Sequence, residues 1–164
     1  MNATSVIKLA LTSTKELLNW YVSDLSDADL LVRPVPQANH IAWQLGHLVV
    51  GDIGLIKDEI PGANFPELPA TWMAQHDKAT AAQEPPKGFA TKKEYLDLFN
   101  GTRDATIALV DKLKDADLDT PVKGKMAKFA PTWAALLLLC ANHTTMHAAQ
   151  FTVVRRKLGK PILF

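Results

Sequence analysis

Cysteine is nearly missing from this chain. Cys140 is the only one, so no disulfide can form within it. Chains built that way suit a reducing compartment, and a cytoplasmic location is expected. An excess of charge of one sign is also missing: 18 Lys and Arg face 17 Asp and Glu, leaving a formal net charge of +1. The two signs are mixed along the chain. Neither a basic stripe for nucleic acid nor a polybasic membrane patch is expected. Long apolar runs are lacking too, since the longest, Ala134 to Ala141, is less than half a membrane span. The opening stretch MNATSVIKLALTSTKELLNW interrupts its apolar residues with lysine and threonine. It reads as an amphipathic helix rather than a signal peptide.

What the chain does have is apolar residues at helical spacing. They make up 48% of its 164 residues, against 21% charged, which suits one globular domain over 1–164 and argues against disorder. The spacing predicts a first helix from about Asn2 to Asp24, with an apolar stripe of Val6, Leu9, Ala10, Leu17 and Trp20, widened by Leu18, Tyr21 and Val22. Asn39 is the expected cap of a second helix, which carries HIAWQLGHLVVGDIGLIKDEI to about Glu59 and stops at Pro61-Gly62. Its apolar character and three glycines suggest burial against close neighbours. Thr91 and Glu94 form a capping box that opens a third helix running through Leu113. A fourth starts at Pro131 or Thr132, passes Arg155-Arg156-Lys157, and stops at Gly159. The basic cluster suits the negative end of that helix's dipole. No segment reads as a strand.

The expectation is therefore an all-α chain, a four-helix bundle with a long irregular crossover, about 61–90, between the second and third long helices. A short helix is expected inside the crossover, from Thr71 to Ala82. The segments LSDADL (25–30) and LKDADL (113–118) each follow an amphipathic helix and precede an apolar, histidine-bearing one. Either one helix-stop solution is used twice or the chain is an approximate two-fold repeat of helix pairs.

His143 and His147 stand one helical turn apart on the fourth helix, so both imidazoles leave one face. Cys140 and Gln150 fall on the same stripe. His47 lies in the apolar WQLGHLVVGDIG of the second helix. Burying three imidazoles without a shared purpose costs desolvation for each, and one divalent ion, zinc, nickel, iron or manganese, accounts for all three. Three protein ligands leave a coordination position open, which is the catalytic pattern. Cys140 could close the site, although a lone cysteine more often serves as a small buried apolar residue. Gln150 could bond a ligand histidine or a metal-bound water, or simply sit at the rim. His40, two turns before His47 and about 10 Å away, lines the mouth of the pocket or starts the helix. His76, in the crossover, has no spacing relation to the others. Asp52 is turned away from His47 by roughly 140°, which leaves no evident general base.

These motifs, taken in order, resemble the DinB/YfiT-like superfamily of metal-binding four-helix bundles. The resemblance covers most of the chain: LSDADLLVRP after the first helix, WQLGHL, PATWMAQH, LKDADLDTP, and HTTMHAAQ before RRKLG. It implies metal-binding histidines at His47, His143 and His147. Many members carry a further histidine before the last one and a glycine before the glutamine, where this chain has Met146 and Ala149. The resemblance implies S-transfer from a low-molecular-weight thiol to an electrophilic substrate, or metal-assisted hydrolysis or isomerisation. It also admits a non-enzymatic, metal-stabilised stress protein, since the name-giving members have no assigned reaction. A bound divalent ion lowers the pKa of a thiol or a water, and the missing base favours the thiol. A homodimer is expected from the apolar excess, family habit and the C-terminal Pro161-Ile162-Leu163-Phe164.

Overall fold

A computed structural model describes residues 2–84 and 86–163. The described residues are helical, with no strand beyond one isolated bridge between Pro121 and Thr132. Four helices are long: α1 (Ala3–Val22), α3 (Ile41–Ile56), α5 (Lys92–Val110) and α6 (Trp133–Lys157). Two are single turns, α2 (Asp27–Leu30) and α4 (Trp72–Gln75). None of the helices is long and apolar enough to cross a membrane.

Each long helix begins where a side chain satisfies its first amides. The Asn2 side chain accepts from the Ser5 amide (3.0 Å), and Thr91 and Glu94 form the reciprocal box expected at the start of α5. Thr132 caps α6. For α3 the cap is His40, not Asn39: its Nδ1 accepts from the Trp43 amide at 3.1 Å. Imidazole nitrogen can replace the usual short side-chain oxygen because the ring is buried and rigid there. The α3 helix proper ends at Ile56, three residues short of the expected Glu59, and the chain turns through Gly62 at φ +99°. Gly159, at φ +67°, closes α6 as expected.

The LSDADL and LKDADL segments match in role as well as in sequence. The Asp27 carboxylate accepts from the Lys92 amide that opens α5 (2.6 Å). Asp115, its counterpart, accepts from the Ala3 and Thr4 amides that open α1 (3.1 Å each). Each segment thus caps the helix of the other half, which supports the repeat reading. Helices α1 and α3 each pack against both α5 and α6.

A small apolar cluster of Val122, Ala130 and Leu136 accompanies the two main ones of the core, one around Leu18, Val22, Leu45, Phe99 and Phe151, the other around Ile7, Leu11, Ile56, Leu109 and Leu137. Between them lies a buried polar layer in which Arg103 of α5 reaches Asp52 of α3 (2.7 Å) and Thr144 of α6 (2.7 Å). On α1 the buried stripe is Ile7, Leu11, Leu18 and Val22, while Val6, Leu9 and Trp20 face outward. The expected stripe was therefore turned by about one residue's rotation, because the partners α5 and α6 decide which side of the helix is covered.

At the far end of α6, Arg155 does more than complement a dipole. It is buried, ion-paired with Asp24, and donates to the Tyr21 carbonyl (2.8 Å), tying the end of α6 to the end of α1. Between α3 and α5, the 61–90 segment holds α4 and a 3₁₀ turn at Lys78–Thr80. Its Trp72 and His76 are buried.

Candidate metal centre

His47 from α3 and His143 and His147 from α6 meet at one point. One ring nitrogen from each lies within 4.8 Å of the other two. The Nε2 atoms of His143 and His147 are 3.1 Å apart. Ligand atoms on a tetrahedral zinc-like centre, with bonds of about 2.0–2.1 Å, stand about 3.3–3.4 Å apart. The α6 pair is therefore already at nearly that spacing. Among the described residues, no Cys, Asp, Glu or fourth His joins the cluster.

The proton on the His147 ring is placed by its other neighbour. Nδ1 of His147 bonds Oε1 of Gln44 (2.8 Å), while Nε2 of Gln44 donates to the Asn39 carbonyl (2.8 Å). The carbonyl can only accept, so the Gln44 amide has one orientation and its oxygen faces His147. The proton of His147 then sits on Nδ1, leaving the Nε2 lone pair for the cluster. His47 feels the His76 backbone, which works against the lowering of its pKa by burial. It also stacks on Trp43, with ring centres 4.8 Å apart and planes 10° from parallel.

Burial lowers the pKa of all three histidines, to about 3 for His147, where neighbouring imidazoles add to it, and to about 4 for His143. At neutral pH the three are uncharged, the state in which imidazole binds metal. His147 is buried, and His47 and His143 are half-buried. Gly51 lets α6 come this close: a Cβ there would stand 3.3 Å from Cε1 of His143.

The remaining candidates lie elsewhere. Cys140 is fully buried beside Asp52 and Arg103, where burial pushes its thiol well up. It shares a stripe with His147 but stands two turns away, about 10 Å along the axis. Gln150 is exposed, two turns beyond His143. His40 is buried at the start of α3, edge-on to Phe89 (4.4 Å between ring centres). Asp52 faces the core and pairs with Arg103.

Sequence spacing missed two residues. Gln44 sits three positions before His47, so a glutamine on the ligand's own face of an apolar helix was a signal available in WQLGHL. His76 reaches His47 only through the fold, and its spacing carried none.

The sequence profile described as the DinB superfamily matches residues 10–151. The chain belongs to the DinB superfamily. No curated protein matches it. Among solved structures, a conserved protein from Enterococcus faecalis is similar at a TM-score of 0.71 and 18% identity, over 98% of this chain and 99% of that one. At that identity the likeness speaks for the fold alone. Within this DinB protein the three-histidine cluster is a site that could hold a metal ion, and its neutral imidazoles are suited to one.

Proposed function

We propose that this DinB protein binds one divalent ion, zinc, nickel, iron or manganese, through His47, His143 and His147, and uses it to transfer a low-molecular-weight thiol to an electrophile. The carrying observation is the convergence of three neutral imidazoles with no fourth Cys, His, Asp or Glu among the described residues. Three protein ligands leave a position for an exogenous group. When bound, the ion supplies Lewis acidity that lowers a thiol's pKa. Gln44 holds His147 in its ligating tautomer, and Trp43 braces His47. The transfer forms a carbon–sulfur bond, breaks the electrophile's bond to its leaving group, and releases the thiol proton.

A groove of about 610 Å³ along α3, with Val50, Ile53 and Gly54 on one side and Phe65 and Met73 on the other, suits a substrate's apolar part. Gly54 is seven residues from His47, hence on the same stripe about 10 Å away. Hydrolysis is less favoured because, among the described residues, no carboxylate joins the cluster to act as base. A non-enzymatic, metal-stabilised role has its own support: the cluster joins α3 to α6 and would fasten them. The reading includes a single four-helix-bundle domain crossed over by 61–90, and a homodimer. Ile162 is exposed, and Phe164 lies outside the described residues.

The test is metal analysis followed by thiol-consumption assays with a panel of small thiols and an electrophile. About one ion per chain, with consumption abolished in His47→Ala/His143→Ala, is expected. Undiminished metal in that double variant refutes the site. Full metal loading with no turnover, and a large stability loss on metal removal, leaves the non-enzymatic reading.

A further inference from the structure

A buried tie crosses the bundle beside the three histidines. Arg103 of α5, Asp52 of α3 and Thr144 of α6 are each 1% exposed or less. Nη2 of Arg103 donates to Asp52 Oδ2 (2.7 Å), to Thr144 Oγ1 (2.7 Å) and to the Cys140 carbonyl (3.3 Å). The Thr144 hydroxyl gives its own proton to that same carbonyl (3.2 Å). One guanidinium thus joins three helices. Its partners are also the immediate neighbours of the site. Thr144 follows His143, and Asp52 follows Gly51. A Cβ at Gly51 would stand 3.3 Å from Cε1 and 3.5 Å from Nδ1 of His143. Gly51–Asp52 therefore faces His143–Thr144 twice over, backbone against ring in one pair and carboxylate to guanidinium to hydroxyl in the other. His47 lies one turn before Gly51, on the same face of α3.

We propose that Arg103, Asp52 and Thr144 are positioning residues for the metal centre: their tie fixes the height at which α3 passes α6, and so brings His47 level with His143 and His147. The proposal rests on the reading of the three histidines as metal ligands. Stability does not account for the tie, because well-packed apolar residues in place of a buried ion pair often leave a fold as stable or more so. Direction does. Apolar burial has no preferred direction, and helices held by it alone can settle at slightly different heights. Hydrogen bonds of set length and angle hold one height. A metal site needs its ligands within about 0.5 Å of the working geometry. His47 is the one ligand of the three that α3 supplies, so it is the ligand that a slide of α3 would withdraw.

The test uses the full chain with Asp52→Leu/Arg103→Met, which exchanges the tie for apolar groups, and with Thr144→Val, which removes only the hydroxyl on α6. Without metal, the double variant should melt at or above the temperature of the parent. In cobalt titrations followed by visible absorption, its affinity should nevertheless fall about 10- to 100-fold, with an altered spectrum, and that of Thr144→Val about 10-fold. A merely structural tie would move the melting temperature and leave the spectrum of the bound ion alone. In metal-free protein, nuclear Overhauser contacts between the His47 and His143 rings, whose centres are 5.2 Å apart, should weaken in both variants. Parent cobalt affinity and spectrum in the folded double variant overturn the proposal. Should that variant not fold, the same result in Thr144→Val overturns it. If the parent binds no cobalt, the metal reading fails, and the ring contacts decide the tie alone: weakened contacts in the folded variants uphold it, and unchanged contacts overturn it.

Discussion

Removing Asp52 should cost this protein far more than removing both members of its ion pair. Arg103 is fully buried, and its Nη2 is shared between Asp52 Oδ2 (2.7 Å), Thr144 Oγ1 (2.7 Å) and the Cys140 carbonyl (3.3 Å). Asp52→Ala leaves a guanidinium in the core with two neutral partners and no counter-charge. Breaking a buried pair from one side costs about 3–5 kcal/mol. At about 2–4 °C per kcal/mol for a chain of this size, the melting temperature should fall by about 6–20 °C. The opposite single variant, Arg103→Met, should cost less. Burial already holds the Asp52 carboxyl up at about 6 against the pull of Arg103, so without the arginine it can take a proton, whereas a guanidinium cannot shed one. Asp52→Leu/Arg103→Met replaces both charges with apolar groups and should lie near the parent or above it. Urea unfolding followed by circular dichroism near neutral pH, without metal, measures all four corners of the cycle. Two outcomes refute the reasoning: Asp52→Ala within about 1 kcal/mol of the parent, or a double variant as unstable as the worse single one.

Other consequences are open to simpler measurements. Gln44→Ala should weaken zinc binding about 10- to 100-fold by calorimetry, because the Gln44 oxygen holds the proton of His147 on Nδ1. Free zinc at a hundred times its Kd should stabilise the parent by about 2.7 kcal/mol, seen as a higher melting temperature. His47→Ala/His143→Ala should show no such rise. Asp24, whose pKa is lowered chiefly by its hydrogen bond from Arg155, stabilises the fold above its unfolded value of 3.8. That contribution is lost as pH falls through the lower folded value. Acid titration of Arg155→Met should therefore show a shallower loss in that window. Light scattering should report a dimer, and a monomer at working concentration would contradict the proposed assembly.

Much of the helical framework was legible because its signals are local. Thr91 with Glu94, Thr132 and Gly159 are start and stop chemistry written within a few residues, and each appears where it was read. His143 and His147 share a face by covalent geometry alone, and the apolar setting of His47 marked it as a third partner. His40 shows the limit: its imidazole caps α3 because burial makes it rigid, while Asn39, the better capping residue by type, lies one position too early.

What the sequence determined by itself, then, is whatever helical pitch and capping chemistry determine: the long helices, the pairing of two imidazoles, and the absence of disulfides and membrane-length helices among the described residues. The tertiary structure alone decided which face of each helix is covered. That is why Ile7 and Leu11 are buried while Val6 and Leu9 are not. It also decided the surroundings of the centre. Gly46 carries no trace in sequence of the ring that rests on it, and that ring, of His76, lies 30 positions away. Contacts between distant segments depend on how helices pack, and packing is a property of the whole set of surfaces rather than of any one stretch. The pair of histidines on α6 could be read from the chain. The arrangement that would make them ligands could be read only from the fold.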